Sequence, residues 1–136
     1  MSDIDDYDAQ VEAIRAHNQP ILDEFRSWLK QSGLSEKTIS NQVSDIDFFT
    51  EYLVYYDPVE KLDEAGCGDV HMFLADWFPR KAAWASATSV KSYSTSFKKF
   101  FKWMGETGRV SPEVVADVLS TLKDSRNEFL KAADEW

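Results

Sequence analysis

Apolar residues recur along this chain at helical spacing, in separate blocks. Ile21, Leu22, Phe25, Trp28 and Leu29 fall on one side of a helix that predicts a start near Pro20 and a stop at Gly33. Asp23 and Glu24 suit its positive end, and Lys30 suits its negative end. Ser35 is a natural N-cap for the next helix, because its hydroxyl can accept from a free backbone N–H of the first turn. Ile39, Val43, Ile46, Phe49, Leu53 and Tyr56 form that helix's core stripe, and Asp57-Pro58 predicts its end. Asp69 reads as the N-cap of a short helix, "VHMFLADWF", which packs Met72, Phe73 and Trp77 or Phe78 and stops at Pro79.

After a linker, "PRKAAWASATS", a long helix is predicted from about Ser86 to about Thr107. At about 100° per residue, Val90, Tyr93, Phe97, Phe100, Phe101 and Met104 gather on one face. Lys91, Thr95, Lys98 and Lys102 gather on a neighbouring face, with Lys99 at its border and Trp103 off the apolar stripe. Gly105 and Gly108 end this helix. Ser111 and Pro112 start a last one as N-cap and first position, with a break near Asp124-Ser125. Residues 1–17 are acidic, with only a weak helical pattern through Val11 and Ile14, and read as an N-terminal arm or short helix. Residues 18–110 read as the helical domain and 111–136 as a C-terminal helix. No alternating strand pattern occurs, so the expected class is all-α, a compact four- to five-helix bundle with an additional C-terminal helix.

Charge changes the picture. The formal net charge is -9, which argues against a nucleic-acid binder at first sight. A global sum hides local fields, however. Between residues 80 and 110, Arg80, Lys81, Lys91, Lys98, Lys99, Lys102 and Arg109 stand against Glu106 alone. Aromatic residues make up 14% of the chain, which supplies large core anchors, and Phe97, Phe100 and Phe101 read as core rather than as a base-stacking platform.

Catalytic chemistry finds no support. The two histidines, His17 and His71, have no serine or cysteine partner in a recognisable pattern. The single cysteine, Cys67, excludes an internal disulfide and a cysteine-based zinc cluster, has no basic neighbour in sequence that would mark a nucleophile, and suits a reducing compartment. Asp5, Asp6 and Asp8 lack the glycine and closing glutamate of a calcium loop. Expected are no cofactor, no metal, no catalytic residue and no small-molecule substrate. The N-terminus lacks a secretory h-region, and no apolar run approaches the roughly 18 residues that span a bilayer. A cytoplasmic location without a membrane partner is therefore expected.

Two segments resemble the core-binding domain of tyrosine recombinases and phage integrases. In the first, Leu29, Gly33, Leu34, Ser35, Thr38, Asp45, Ile46 and Phe49 match the family's first helical pair. In the second, Lys98, Phe100, Phe101, Gly108 and Val110 match its fourth helix. The resemblance covers about residues 20–110. It implies a SAM-like bundle that grips duplex DNA with its second and fourth helices. Carried over to this chain, the DNA contacts are Lys37, Thr38, Lys91, Thr95, Lys98, Lys99 and Lys102, and a recombinase protomer or catalytic domain is a further partner. Lysine heads neutralise phosphates and release counterions, and hydroxyls hydrogen-bond phosphate oxygens. The family's strand transfer needs a separate domain with a tyrosine nucleophile, and no His-x-x-Arg pattern stands in this chain, so a non-enzymatic module is expected.

The family often carries an arginine near position 92 and an aromatic near 42, where this chain has Ser92 and Gln42. Those departures, with the acidic remainder, favour the alternative: a protein–protein interaction module that kept the fold and lost DNA binding. The blander alternative for the lysines is a solvated helix face. An acidic arm folding over the lysine ridge is a third use of the charge pattern.

Overall fold

The computed structural model describes residues 3–56 and 58–135, and the side chains of residues 6–56 and 58–134. Asp57, read as part of a helix stop, and the side chain of Asp5, weighed as a metal ligand, lie outside this description. Every long element is a helix, and no strand occurs among the described residues. The fold is all-α. The chain divides into two helical units, 1–64 and 65–136.

The first unit holds α1 (Asp3–Gln31), α2 (Glu36–Leu53) and a 3-10 turn (Leu62–Glu64). Here the sequence reading is corrected. No break falls at residue 17 or 18, and Pro20 lies inside α1 rather than at its start. Proline removes one backbone hydrogen bond from a helix interior. Tertiary contacts offset that loss. Ile14, Asn18, Ile21 and Leu22 are buried on both sides of Pro20, and Asn18 Oδ1 accepts from the Leu62 N–H at 3.0 Å. The residues read as an acidic arm are tied down as well. The Tyr7 hydroxyl donates to the Val54 carbonyl, Arg15 pairs with Glu51, and His17 Nε2 lies 3.0 Å from Asp63 Oδ1.

α1 ends at Gly33, whose φ of +83° an L side chain rarely adopts. α2 starts where the sequence reading put it, with Ser35 Oγ accepting from the Thr38 N–H at 3.2 Å. Phe25, Leu29, Ile39, Ile46 and Phe49 are fully buried between the two helices. Tyr56 is not part of that core. α2 ends at Leu53, so the helical register lapses, and Tyr55 and Tyr56 are each 48% exposed. Gln42 is buried.

The second unit opens with α3 (Cys67–Met72), a π-helical turn (Phe73–Trp77) and α4 (Phe78–Lys81). Asp69 is not the N-cap of α3. Gly66 holds that place, and the Asp69 carboxylate reaches back to accept from the Gly66 N–H at 3.2 Å. Pro79 does not stop the helix either. The Phe78 N–H bonds to the Phe73 carbonyl one residue further back than in an α-helix. This inserted residue rotates the register, so that Phe73, Leu74, Trp77 and Phe78 are all buried, while Met72 is left 47% exposed.

α5 (Ala87–Glu106), α6 (Pro112–Asp124) and α7 (Arg126–Glu135) complete the unit. Ser86 and Ser89 cap α5 reciprocally, each hydroxyl accepting from the other's N–H, at 3.2 and 2.8 Å. Gly108, with φ +74°, follows its end. Ser111 Oγ caps α6, and the break expected near Asp124-Ser125 separates α6 from α7. The α5 stripe is the core: Val90, Tyr93, Phe97, Phe100, Phe101 and Met104 are buried, with Phe73 against Tyr93 and Phe97, Phe78 against Tyr93, and α6 and α7 packed on the same helix. His71 ties α3 to α7, with Nε2 3.1 Å from Glu128 Oε1 and its ring edge on Phe129. Among the described residues no helix is long and apolar enough to cross a membrane.

Candidate nucleic-acid interface

The same periodicity that builds the α5 core sets its basic face. Lys91, Thr95, Lys98 and Lys102 step by four, three and four residues, which keeps them in one stripe. Lys91, Thr95, Lys98 and Lys102 are exposed and Lys99 is half-buried beside them. From Lys91 to Lys102 the helix rises about 16 Å. That length covers several phosphates of a duplex strand, which rises about 3.4 Å per phosphate.

Among the described residues Lys91, Lys98, Lys99 and Lys102 enter no ion pair. Other cations of the chain are engaged. Arg80 donates to Asp76 at 2.8 Å, and the Arg109 guanidinium lies 4.5 Å over the Trp103 ring. Trp103 itself is buried, which removes it from any exposed contact surface. Of the seven basic residues between 80 and 110, the four lysines on α5 are therefore the ones that meet solvent as an unneutralised set.

Thr95 and Thr38 are less available than their residue type suggests. The Thr95 hydroxyl donates to the Lys91 carbonyl at 3.1 Å. Thr38 Oγ1 accepts from the Ser35 hydroxyl at 3.0 Å, as part of the α2 cap. Lys37 stands exposed in the first turn of α2, at the positive end of the helix dipole, where a cation is disfavoured unless an anion comes close. Lys37 and Thr38 belong to the first unit and the α5 residues to the second.

Within the second unit, Lys91, Thr95 and Lys98 line a groove of about 440 Å³ together with Lys123 and Arg126. The sequence reading did not single out these last two residues. The lysine ridge was visible because it lies on one helix, whereas Lys123 and Arg126 join it only through the packing of α6 and α7 on α5. Phe97, Phe100 and Phe101 are completely buried, so no base can stack on them. No group of three or more His, Cys, Asp or Glu side chains is placed to hold a metal among the described residues.

The sequence pattern of one family fits this arrangement of helices. The family described as phage integrase, N-terminal SAM-like domain, matches residues 22–108. The match runs from the middle of α1 through α5 and includes every residue on which the resemblance was found except Val110. No curated protein matches the chain, and no solved structure does. With well over half of its length matched, the chain belongs to the phage integrase N-terminal SAM-like domain family.

Proposed function

We propose that this chain is a DNA-binding module of the tyrosine-recombinase type that grips duplex DNA chiefly through its backbone, without itself performing strand transfer. The observation that carries the reading is the stripe of Lys91, Lys98 and Lys102 on α5, exposed and without an ion pair among the described residues, in a chain of net charge -9. Cations held together in one exposed stripe make a local positive field that attracts phosphate even on a chain of negative net charge. Lys99 widens the stripe, and Lys37 with Thr38 at the α2 N-terminus adds a second contact point. Thr95 contributes only if its hydroxyl leaves the Lys91 carbonyl. Residues 18–110 act as the core-binding segment and 111–136 as an appended segment. A recombinase protomer or catalytic domain is the partner on DNA.

The test is fluorescence anisotropy with a labelled duplex of about 30 base pairs, titrated at low and moderate salt. Affinity should fall as salt rises and collapse in Lys98→Glu/Lys102→Glu. No binding at low salt would reject the reading in favour of a protein-interaction module that kept the fold.

A further inference from the structure

The cationic surface of α5 does not end on α5. Lys123, in the last turn of α6, and Arg126, at the first position of α7, line the same groove as Lys91 and Lys98. Three separate helices thus send four cations to one concavity, and no carboxylate among the described residues lines it. Among the described residues none of the four enters an ion pair. The chain has 24 acidic residues against 15 basic ones, so neutralising carboxylates are in surplus. Like charges held in one cleft repel each other and raise the local concentration of anions.

Local rules make the placement of Arg126 more telling. A cation at a helix N-terminus opposes the helix dipole, and α7 carries Arg126 at that end. The same end offers free N–H groups that favour an anion. The conflict disappears when an anion sits between them. Val90, Leu122 and Leu130 contribute apolar surface to the groove, which lowers the local dielectric and strengthens the attraction of a bound anion to the cations. Its volume of about 440 Å³ is many times the ~30 Å³ share of a water molecule.

We propose that α6 and α7 complete a phosphate cradle with α5, in which Lys91 and Lys98 on one wall and Lys123 and Arg126 on the other each engage separate neighbouring backbone phosphates of duplex DNA. The proposal rests on the DNA-binding reading and extends it beyond the matched family segment, residues 22–108, since Lys123 and Arg126 lie outside that segment. The Arg126 guanidinium takes two phosphate oxygens with parallel N–H donors, while the lysines act as point charges. The C-terminal helices are then a part of the DNA interface rather than a tether to something else.

The experiment compares wild type with Lys123→Gln/Arg126→Gln, using the labelled duplex of about 30 base pairs and, in parallel, a labelled polyglutamate peptide. Thermal unfolding of both proteins checks that the exposed substitutions leave the fold intact. Losing two phosphate contacts should reduce the slope of log K against log salt by about 1.8. Between about 50 and 200 mM salt, the wild type should then lose about tenfold more affinity than the variant does. Arg126→Lys should keep the slope and weaken binding, because charge is kept and the bidentate fork is lost. If wild type binds the duplex and the double variant matches it in affinity and slope, the cradle is rejected and the DNA reading stands. If wild type ignores the duplex at low salt, the DNA reading falls and takes the cradle's ligand with it. Binding of polyglutamate alone would reassign the groove to an acidic protein partner.

Discussion

Gly105 of α5 lies so close to Val115 of α6 that a Cβ at position 105 would come within 2.6 Å of Val115 Cγ2. This contact lets the two helices approach closely where α5 ends and α6 begins. Gly105→Ala should therefore destabilise the protein. Val115 is β-branched and stiff in a helix, so it yields poorly. Overpacking of this kind costs about 1–3 kcal/mol, read as a lower urea midpoint. Val115→Ala in the same chain should recover much of the loss. A Gly105→Ala protein as stable as wild type would show that the helices separate freely.

Single substitutions along the α5 stripe should count phosphates. Lys98→Ala and Lys102→Ala should each lower the slope of log K against log salt by about 0.9 for every phosphate contact removed. Each is exposed and unpaired among the described residues, so stability should change by no more than about 0.5 kcal/mol. Arg109→Ala should behave differently. Its guanidinium stacks on Trp103, so the loss should appear in stability, by about 0.5–1 kcal/mol, rather than in the salt slope. Anisotropy titrations and urea unfolding of the same samples separate the two effects.

The Arg15–Glu51 pair predicts an acid-sensitive contribution within the first unit. Arg15 donates to both Glu51 oxygens, at 2.9 and 3.1 Å. These hydrogen bonds hold the Glu51 carboxyl below its ordinary value of 4.5, against the opposing effect of partial burial. A carboxyl lowered in the folded state stabilises fully above its unfolded value, and that stabilisation is lost as pH falls through the lowered one. Both side chains are nearly half exposed, 48% and 44%, so solvent screening limits the pair to about 0.2–1 kcal/mol. The stability gap between wild type and Glu51→Gln should be present at neutral pH and shrink below the ordinary carboxylate range. Urea midpoints across that range decide it, and a gap that widened in acid would contradict the assignment.

Phe97 separates the core role of the α5 aromatics from the basic role of its other face. Its ring is fully buried, with the Phe73 ring edge-on at 5.8 Å between centroids. Phe97→Ala should cost about 3–5 kcal/mol, a large part of a typical domain's ~5–15 kcal/mol. The milder Phe97→Leu should lower stability while leaving the duplex affinity of the folded protein unchanged. A selective loss of affinity at full stability would mean that the ring meets DNA after all.

Much of this architecture is legible in the linear chain, and the reason is that those features are local. Ser35, Ser86 and Ser111 cap helices by bonding N–H groups three residues away. Gly33 and Gly108 end helices because their own backbone angles require it. The α5 stripe follows from residue spacing alone, and every residue assigned to its core is buried. The family was legible for the same reason, since its motifs are caps and stripes in a fixed order.

Other features depend on partners far along the chain. Pro20 reads locally as a helix start, yet α1 continues through it because Ile14 and Ile21 are buried and Asn18 holds the Leu62 N–H, 44 residues away. Pro79 reads as a stop, yet a π-helical turn carries the helix past it and buries Trp77 and Phe78 together. Lys123 and Arg126 carry no local sign that they belong with Lys98. Their position comes from α6 and α7 packing on α5. Short-range hydrogen bonds and periodicity can be written in neighbouring residues, whereas a groove shared by three helices exists only once their apolar faces have been buried against each other.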